Sequence, residues 1–97
     1  MTEYDKQKKK FILLNKLETI KKESRIKENI MHDISKNMCS IETANATKLF
    51  SSENDFIVYI NNVKNLIKLI NEMNLIKKDL LSLLWSEHNI RMQIADV

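Results

Sequence analysis

The chain contains neither glycine nor proline among its 97 residues. An average chain of this length carries about a dozen of the two together. Tight β-hairpins need residues with positive φ, and sandwiches or barrels need such turns every ~8–12 residues. Dinucleotide sites and P-loops need glycine where the backbone approaches phosphate. The composition therefore disfavours these folds and sites and predicts an all-α protein built from long helices.

The first helix is predicted from about residue 3 to residue 40. Thr2 and Asp5 have the spacing of a capping box at its start. Between residues 21 and 29 only Ile26 is apolar, and a strict heptad would put Ser24 and Lys27 among the packed positions. We therefore expect an interrupted or phase-shifted pattern and a solvated or bent middle. The apolar positions that follow helical steps are Leu13, Leu17, Ile20, Ile30 or Met31, Ile34, Met38 and Ile41.

The second helix is predicted from about residue 53 to residue 95. Ser51 or Ser52 can cap it, and acidic side chains in its first turn favour the helix dipole. Its heptad positions are Phe56, Tyr59, Val63, Leu66, Ile70, Met73, Lys77, Leu80 and Leu84. A flanking row contains Ile60, Ile67, Leu69, Ile76, Leu81 and Leu83. This apolar face is wider than a two-stranded coiled coil needs, so we expect it to contact more than one neighbouring helix.

The connector between the helices is predicted at about residues 41–52, with a short helix over 42–48 as one option. Asn45 is the expected substitute for glycine at the end of the first helix. Leu49 and Phe50 are expected to fold back onto the helix pair. The predicted fold is thus a single helical domain over residues 1–97. Its two helices form an antiparallel hairpin or coiled coil, which a partner chain or self-association completes as a bundle.

The net charge of +3 is concentrated near the start of the chain. Residues 1–40 hold ten lysines and arginines against six aspartates and glutamates. This surplus is compatible with nucleic acid, an anionic lipid surface, an acidic partner, or a simply solvated helix face. Arginine, the commonest specific base contact, occurs only as Arg25 and Arg91. The candidate basic surface comprises Lys6, Lys8, Lys9, Lys10, Lys21 and Lys22.

Few side chains suggest chemistry. His32 and Cys39 lie seven residues apart, but the spacings of zinc sites are missing, and Cys39 is interpreted as a small core residue. Trp85, the only tryptophan, is either a core residue at the end of the bundle or an interface anchor. We therefore predict no catalytic residue, cofactor or metal. One cysteine, no signal peptide and no membrane-spanning run predict an intracellular, cytoplasmic location.

These observations predict a non-catalytic assembly subunit or adaptor that acts through helix–helix contacts. Its partner would be another protein or a second copy. One alternative is a small inhibitory or regulatory protein that docks on one host protein. Another is a basic dimer that binds nucleic acid. The candidate interface residues are Leu13, Leu17, Ile20, Met31, Ile34, Met38, Phe56, Tyr59, Ile60, Val63, Leu66, Ile67, Ile70, Met73, Leu80, Leu84 and Trp85.

Overall fold

The computed structural model describes residues 2–97 and contains two long helices. Helix α1 spans Glu3–Ala46 and helix α2 spans Glu53–Ala95. The two helices pack antiparallel as a hairpin, and residues 2–97 contain no β-strand. The predicted all-α hairpin is therefore confirmed.

Both helices begin with side-chain caps. At the start of α1, the Asp5 amide donates to Thr2 Oγ1 at 3.2 Å, and the Thr2 amide donates to Asp5 Oδ2 at 3.4 Å. This reciprocal pair is the predicted capping box. At the start of α2, the Asp55 amide donates to Ser52 Oγ at 3.3 Å, so Ser52 is the N-cap.

Helix α1 ends six residues later than predicted, at Ala46, so the connector is residues 47–52. Asn45 does not adopt the expected left-handed conformation, since residues 2–97 contain no positive φ. Instead, the Thr47 hydroxyl caps the end of α1 by donating a hydrogen bond to the Thr43 carbonyl at 3.0 Å. Segment 41–46 stays helical because Asn45 is bonded to α2 and the last carbonyls are satisfied locally.

The hairpin divides into two compact units, each containing part of both helices. The first unit combines the chain up to Glu28 with Lys78–Val97, and the second is Asn29–Lys77. In each unit the helices meet along one row of residues spaced alternately three and four apart, which we call the seam. Because two helices cover only one such row on each other, the core of each unit is thin.

In the first unit, Leu13 and Leu17 are the buried apolar residues, at 5% and 6% exposure. Contrary to the expected interruption, the seam keeps its heptad spacing through Ser24 and Lys27. Ser24 is 7% exposed and Lys27 is half-buried. The heptad spacing continues here for two reasons. Serine is small enough for a packed position, and the aliphatic part of Lys27 lies along the seam while its ammonium pairs with the Asp79 carboxylate at 3.3 Å.

In the second unit, Ile34 of α1 and Met73 of α2 are the buried residues. Asn45 and Asn62 meet further along the same seam, where Asn62 Nδ2 donates to Asn45 Oδ1 at 2.8 Å. The other seam residues of this unit are half-buried. They are Met31, Met38, Ile41, Tyr59, Leu66, Leu69 and Ile76.

The predicted seam of α2 is correct at one position in each heptad and wrong at the other. Tyr59, Leu66, Met73 and Leu80 do lie in the seam. The intervening positions are Asn62, Leu69, Ile76 and Leu83, whereas the sequence pattern favoured Val63, Ile70, Lys77 and Leu84. Apolar residues occupy both sides of the shared row, so periodicity alone does not determine which side faces α1.

Candidate interaction surface

Five apolar residues of α2 in the second unit form a row outside the seam, which we call the outer stripe. They are spaced alternately four and three apart, so they share one face of the helix. Phe56, Ile67 and Ile70 are 53%, 54% and 43% exposed, although α2 is already packed against α1. The outer stripe comprises Phe56, Ile60, Val63, Ile67 and Ile70, of which Ile60 and Val63 are half-buried. Asn74 and Lys77 occupy the next two positions and end it.

An aromatic cluster extends the outer stripe into the connector. The Phe50 ring contacts the ring of Phe56 edge to face, with centroids 6.1 Å apart, and that of Tyr59, with centroids 5.3 Å apart. Phe50 therefore does fold back onto α2, as the sequence predicted, yet it remains exposed. Leu49 does not fold back, and its side chain is almost fully exposed. The apolar surface is consequently continuous from Phe50 through the stripe.

The first unit has a smaller apolar patch on α2, formed by Leu81, Leu84 and Trp85. All three are exposed, Trp85 at 67%. Its indole lies against the His88 ring, with centroids 5.9 Å apart and a tilt of 31° between the planes. Trp85 is therefore not a core residue of this hairpin, which removes one of its two interpretations. An exposed tryptophan beside two leucines has the composition of an interface anchor.

The charges are distributed unequally between the units. The second unit holds five lysines against five acidic residues, while the first holds eleven lysines and arginines against eight. The net charge is thus zero for the second unit and +3 for the first. The whole surplus lies in the unit that contains the candidate basic surface. Of the six lysines in the candidate basic surface, five are exposed and Lys21 is half-buried.

Ion pairs among residues 2–97 involve none of those six lysines. Lys27 pairs with Asp79, and Arg91 pairs with Glu87 at 2.8 Å one turn away on the same helix. Phe11 and Leu14 lie exposed among the lysines of α1, so this face is not purely basic. Electrostatics therefore favour an acidic or phosphate-rich neighbour only at the first unit.

One carboxylate has a shifted pKa. Asp55 accepts hydrogen bonds from the Ser51 hydroxyl at 2.7 Å and from the Ser51 amide at 3.0 Å. These two bonds are the main reason that the pKa of Asp55 lies below its usual value. Desolvation opposes them, and the bond to Ser52 and the charge of Lys48 lower the pKa by smaller amounts. The carboxylate therefore stabilises the start of α2 in its ionised form.

The residues considered for chemistry are dispersed. Cys39 is an exposed free thiol, so its interpretation as a core residue is wrong. His32 is exposed. Within residues 2–97, no three His, Cys, Asp or Glu side chains lie close enough together to hold a metal ion. Neither helix of the described chain combines the length and apolar character that crossing a bilayer requires.

The structure divides the candidate interface residues into two sets. One set lies in the seam between α1 and α2, and comprises Leu13, Leu17, Ile20, Met31, Ile34, Met38, Tyr59, Leu66, Met73 and Leu80. The other set lies outside the seam and comprises Phe56, Ile60, Val63, Ile67, Ile70, Leu84 and Trp85. Every residue of the first set is buried or half-buried, whereas five of the seven in the second set are exposed and offer apolar surface to another molecule.

Sequence reasoning missed two features of this surface. The Asn45–Asn62 contact was not expected, and the only sequence signal for it is a polar residue at a heptad position in each helix. Phe50 was assigned to the connector, and its role in extending the outer stripe depends on a ring contact across six residues. Comparison with protein-family models, curated proteins and solved structures found no match to this chain.

Proposed function

We propose that this protein is a non-catalytic assembly subunit or adaptor, and that the exposed apolar face of α2 binds a helix of a partner. The observation that carries the proposal is the outer stripe. It repeats the spacing by which α1 and α2 already pack, and it remains exposed after they do so. Exposed apolar surface of this kind is typical of a protein-binding site.

The thin core supports the same proposal. Four apolar residues are buried across both units, namely Leu13, Leu17, Ile34 and Met73. Small domains bury too little apolar surface to be more than marginally stable by themselves. Covering the outer stripe with a further helix would transfer several large aliphatic side chains from water. Each such side chain contributes about 1.5–3 kcal/mol when fully buried. A partner would thereby stabilise the hairpin as well as recognise it.

The single thiol suits a reducing compartment, since Cys39 is exposed and has no second cysteine with which to pair. We therefore place the proposed function inside the cell, in the cytoplasm. A regulatory protein that docks on one target would use the same surface. It differs from an assembly subunit in the stoichiometry of its complex, because it binds one target molecule, whereas an assembly subunit joins several chains.

The proposal is tested by purifying the tagged chain from the cells that make it and identifying the proteins that accompany it. Ile67→Asp places a charge in the outer stripe, and Leu75→Asp makes the same change at a somewhat more exposed position of α2 outside the stripe. We expect Ile67→Asp to lose the partner and Leu75→Asp to retain it. Equal retention by both variants contradicts the proposal, as does an unmodified chain that retains neither another protein nor an untagged second copy of itself.

A second candidate function is supported by the charge of the first unit. Its exposed lysines, including Lys8, Lys9 and Lys22, and its net charge of +3 suit non-specific contact with a polyanion. Retention on immobilised heparin that is lost between about 50 and 200 mM salt would support this candidate. Replacing Lys8, Lys9 and Lys10 together by glutamine should then abolish retention, whereas unchanged retention would contradict it.

A further inference from the structure

We propose that the occupant of the outer stripe is the outer stripe of a second copy of this chain, paired antiparallel across a two-fold axis. This inference rests on the proposed function, because it names the partner of the same surface. It is argued from the spacing, charge and area of the stripe.

The spacing makes the outer stripe complementary to itself. In antiparallel helix pairs, positions that precede a four-residue step lie opposite positions that precede a three-residue step. Phe56 of one copy then lies opposite Ile67 of the other, and Ile60 lies opposite Val63. The symmetry operation repeats both pairs, so four successive layers are entirely apolar. Each layer joins a larger side chain to a smaller one, Phe56 to Ile67 or Ile60 to Val63, which suits close packing.

The charges of the second unit do not oppose pairing of the outer stripe with that of a second copy. No residue from Phe56 to Val63 is charged, and the stripe itself contains no ionisable group. The second unit has zero net charge, so two copies of it approach without mutual repulsion. Exposed Lys64 lies beside the stripe, four residues after Ile60 and three before Ile67, so an acidic helix is the rival occupant, which co-purification would identify. Contact through the first unit, with its charge of +3, would instead oppose self-association.

The area is sufficient for a reversible dimer. The paired segment from Phe56 to Ile67 covers 12 residues, or about 18 Å of helix, because Ile70 lies opposite Glu53 of the other copy in this register. With Phe50 and the exposed Ile57 beside it, the area buried by two copies is on the order of 1,000 Å². This lies below the roughly 1,200–2,000 Å² of stable specific interfaces and within the range of weak, transient ones, so we expect a reversible dimer rather than a permanent one.

The test is sedimentation equilibrium of the full chain from about 1 to 500 µM, a range that brackets micromolar dissociation. The unmodified chain should pass from one to two chains per particle as its concentration rises. Ile67→Asp should weaken association at least about tenfold, because the charge would have to be desolvated at the interface. Leu75→Asp should associate like the unmodified chain. Circular dichroism of both variants checks that each remains helical.

Three outcomes would overturn the second copy as occupant. They are a chain that stays monomeric over the whole range, equal weakening by both variants, and association that neither variant affects. A monomer that still loses a co-purifying protein through Ile67→Asp would refute self-pairing while supporting the proposed function. A monomer that captures no partner would count against both.

Discussion

Asn62 donates a hydrogen bond of 2.8 Å from its side-chain amide to the side-chain oxygen of Asn45, inside the seam of the second unit. The Asn45 amide in turn points to the Tyr59 carbonyl at 3.5 Å. Polar pairs at heptad positions reduce stability relative to an apolar pair but select one register, because a shifted pairing leaves each amide facing an apolar side chain. The contact forms when Asn62, and not Val63, faces α1, which is the arrangement in which the outer stripe lies outside the seam.

We expect Asn62→Ala to lower the free energy of unfolding by about 1 kcal/mol, since it leaves the side-chain oxygen of half-buried Asn45 without its donor. The double replacement of Asn45 and Asn62 by leucine should be neutral or stabilising, because both polar groups are removed together. Guanidinium unfolding at one fixed chain concentration measures both changes. Asn61→Ala, an exposed neighbour, is the control. A loss from Asn61→Ala as large as that from Asn62→Ala would contradict a specific role for the pair.

Ser24 presents the opposite case, a buried hydroxyl without a hydrogen-bond partner. Ser24→Ala removes the polar atom and keeps the small size that the seam accepts. We therefore expect the free energy of unfolding to rise by about 1–2 kcal/mol, which is the cost of an unsatisfied buried group. In Ser40→Ala the lost hydroxyl is exposed and bonded to the Lys36 carbonyl at 3.1 Å, so the change should stay within about 0.5 kcal/mol. Thermal unfolding compares the two, and destabilisation by Ser24→Ala would show that its hydroxyl is satisfied in solution.

The lowered pKa of Asp55 predicts that the free energy of unfolding depends on pH. Its pKa is lower in the folded chain than its usual value, so folding favours the ionised form. The stabilisation is therefore fully present above about pH 5 and is lost as the pH falls through the folded pKa. Asp55→Asn should unfold more easily than the unmodified chain at neutral pH, with a difference that vanishes in acid. Unfolding measured from pH 7 to pH 2 checks this, with Asp33→Asn as an exposed control. A difference that is independent of pH would contradict the assignment.

The sequence determined the class of fold because the missing glycine and proline leave few alternatives to long helices. It determined the seam of α1 at Leu17 and Ile34, each of which has a polar residue on both sides in the sequence. It did not determine the seam of α2, where Val63 and Leu69 are equally apolar on either side of Leu66. The choice between them depends on the tertiary contact of Asn45 with Asn62, which heptad counting penalises.

The surface was less predictable than the fold. A row of apolar residues has the same sequence pattern whether another helix of the chain covers it or not, so Phe56 and Ile67 were candidates without an assigned neighbour. Cys39 was misassigned because a small residue beside Met38 suits a core in sequence, while helical geometry turns the two side chains about 100° apart. The end of α1 was placed too early, because the bonds of Asn45 and Thr47 that prolong it are specific to the folded hairpin.

The pair between Lys27 and Asp79 is expected to contribute little to stability, although it crosses between the helices of the first unit. Its N–O distance is 3.3 Å, and the two side chains are 34% and 60% exposed. A double-mutant cycle of Lys27→Met and Asp79→Asn should give a coupling energy of about 0.2–1 kcal/mol. The coupling should fall between 0.05 and 1 M salt, over which the screening length contracts from above 10 Å to about 3 Å. Arg91 with Glu87, a pair within one helix turn, is the control and should be as weak. A coupling of several kcal/mol that persists in high salt would mean that this pair, and not the apolar seam on either side of it, holds the first unit together.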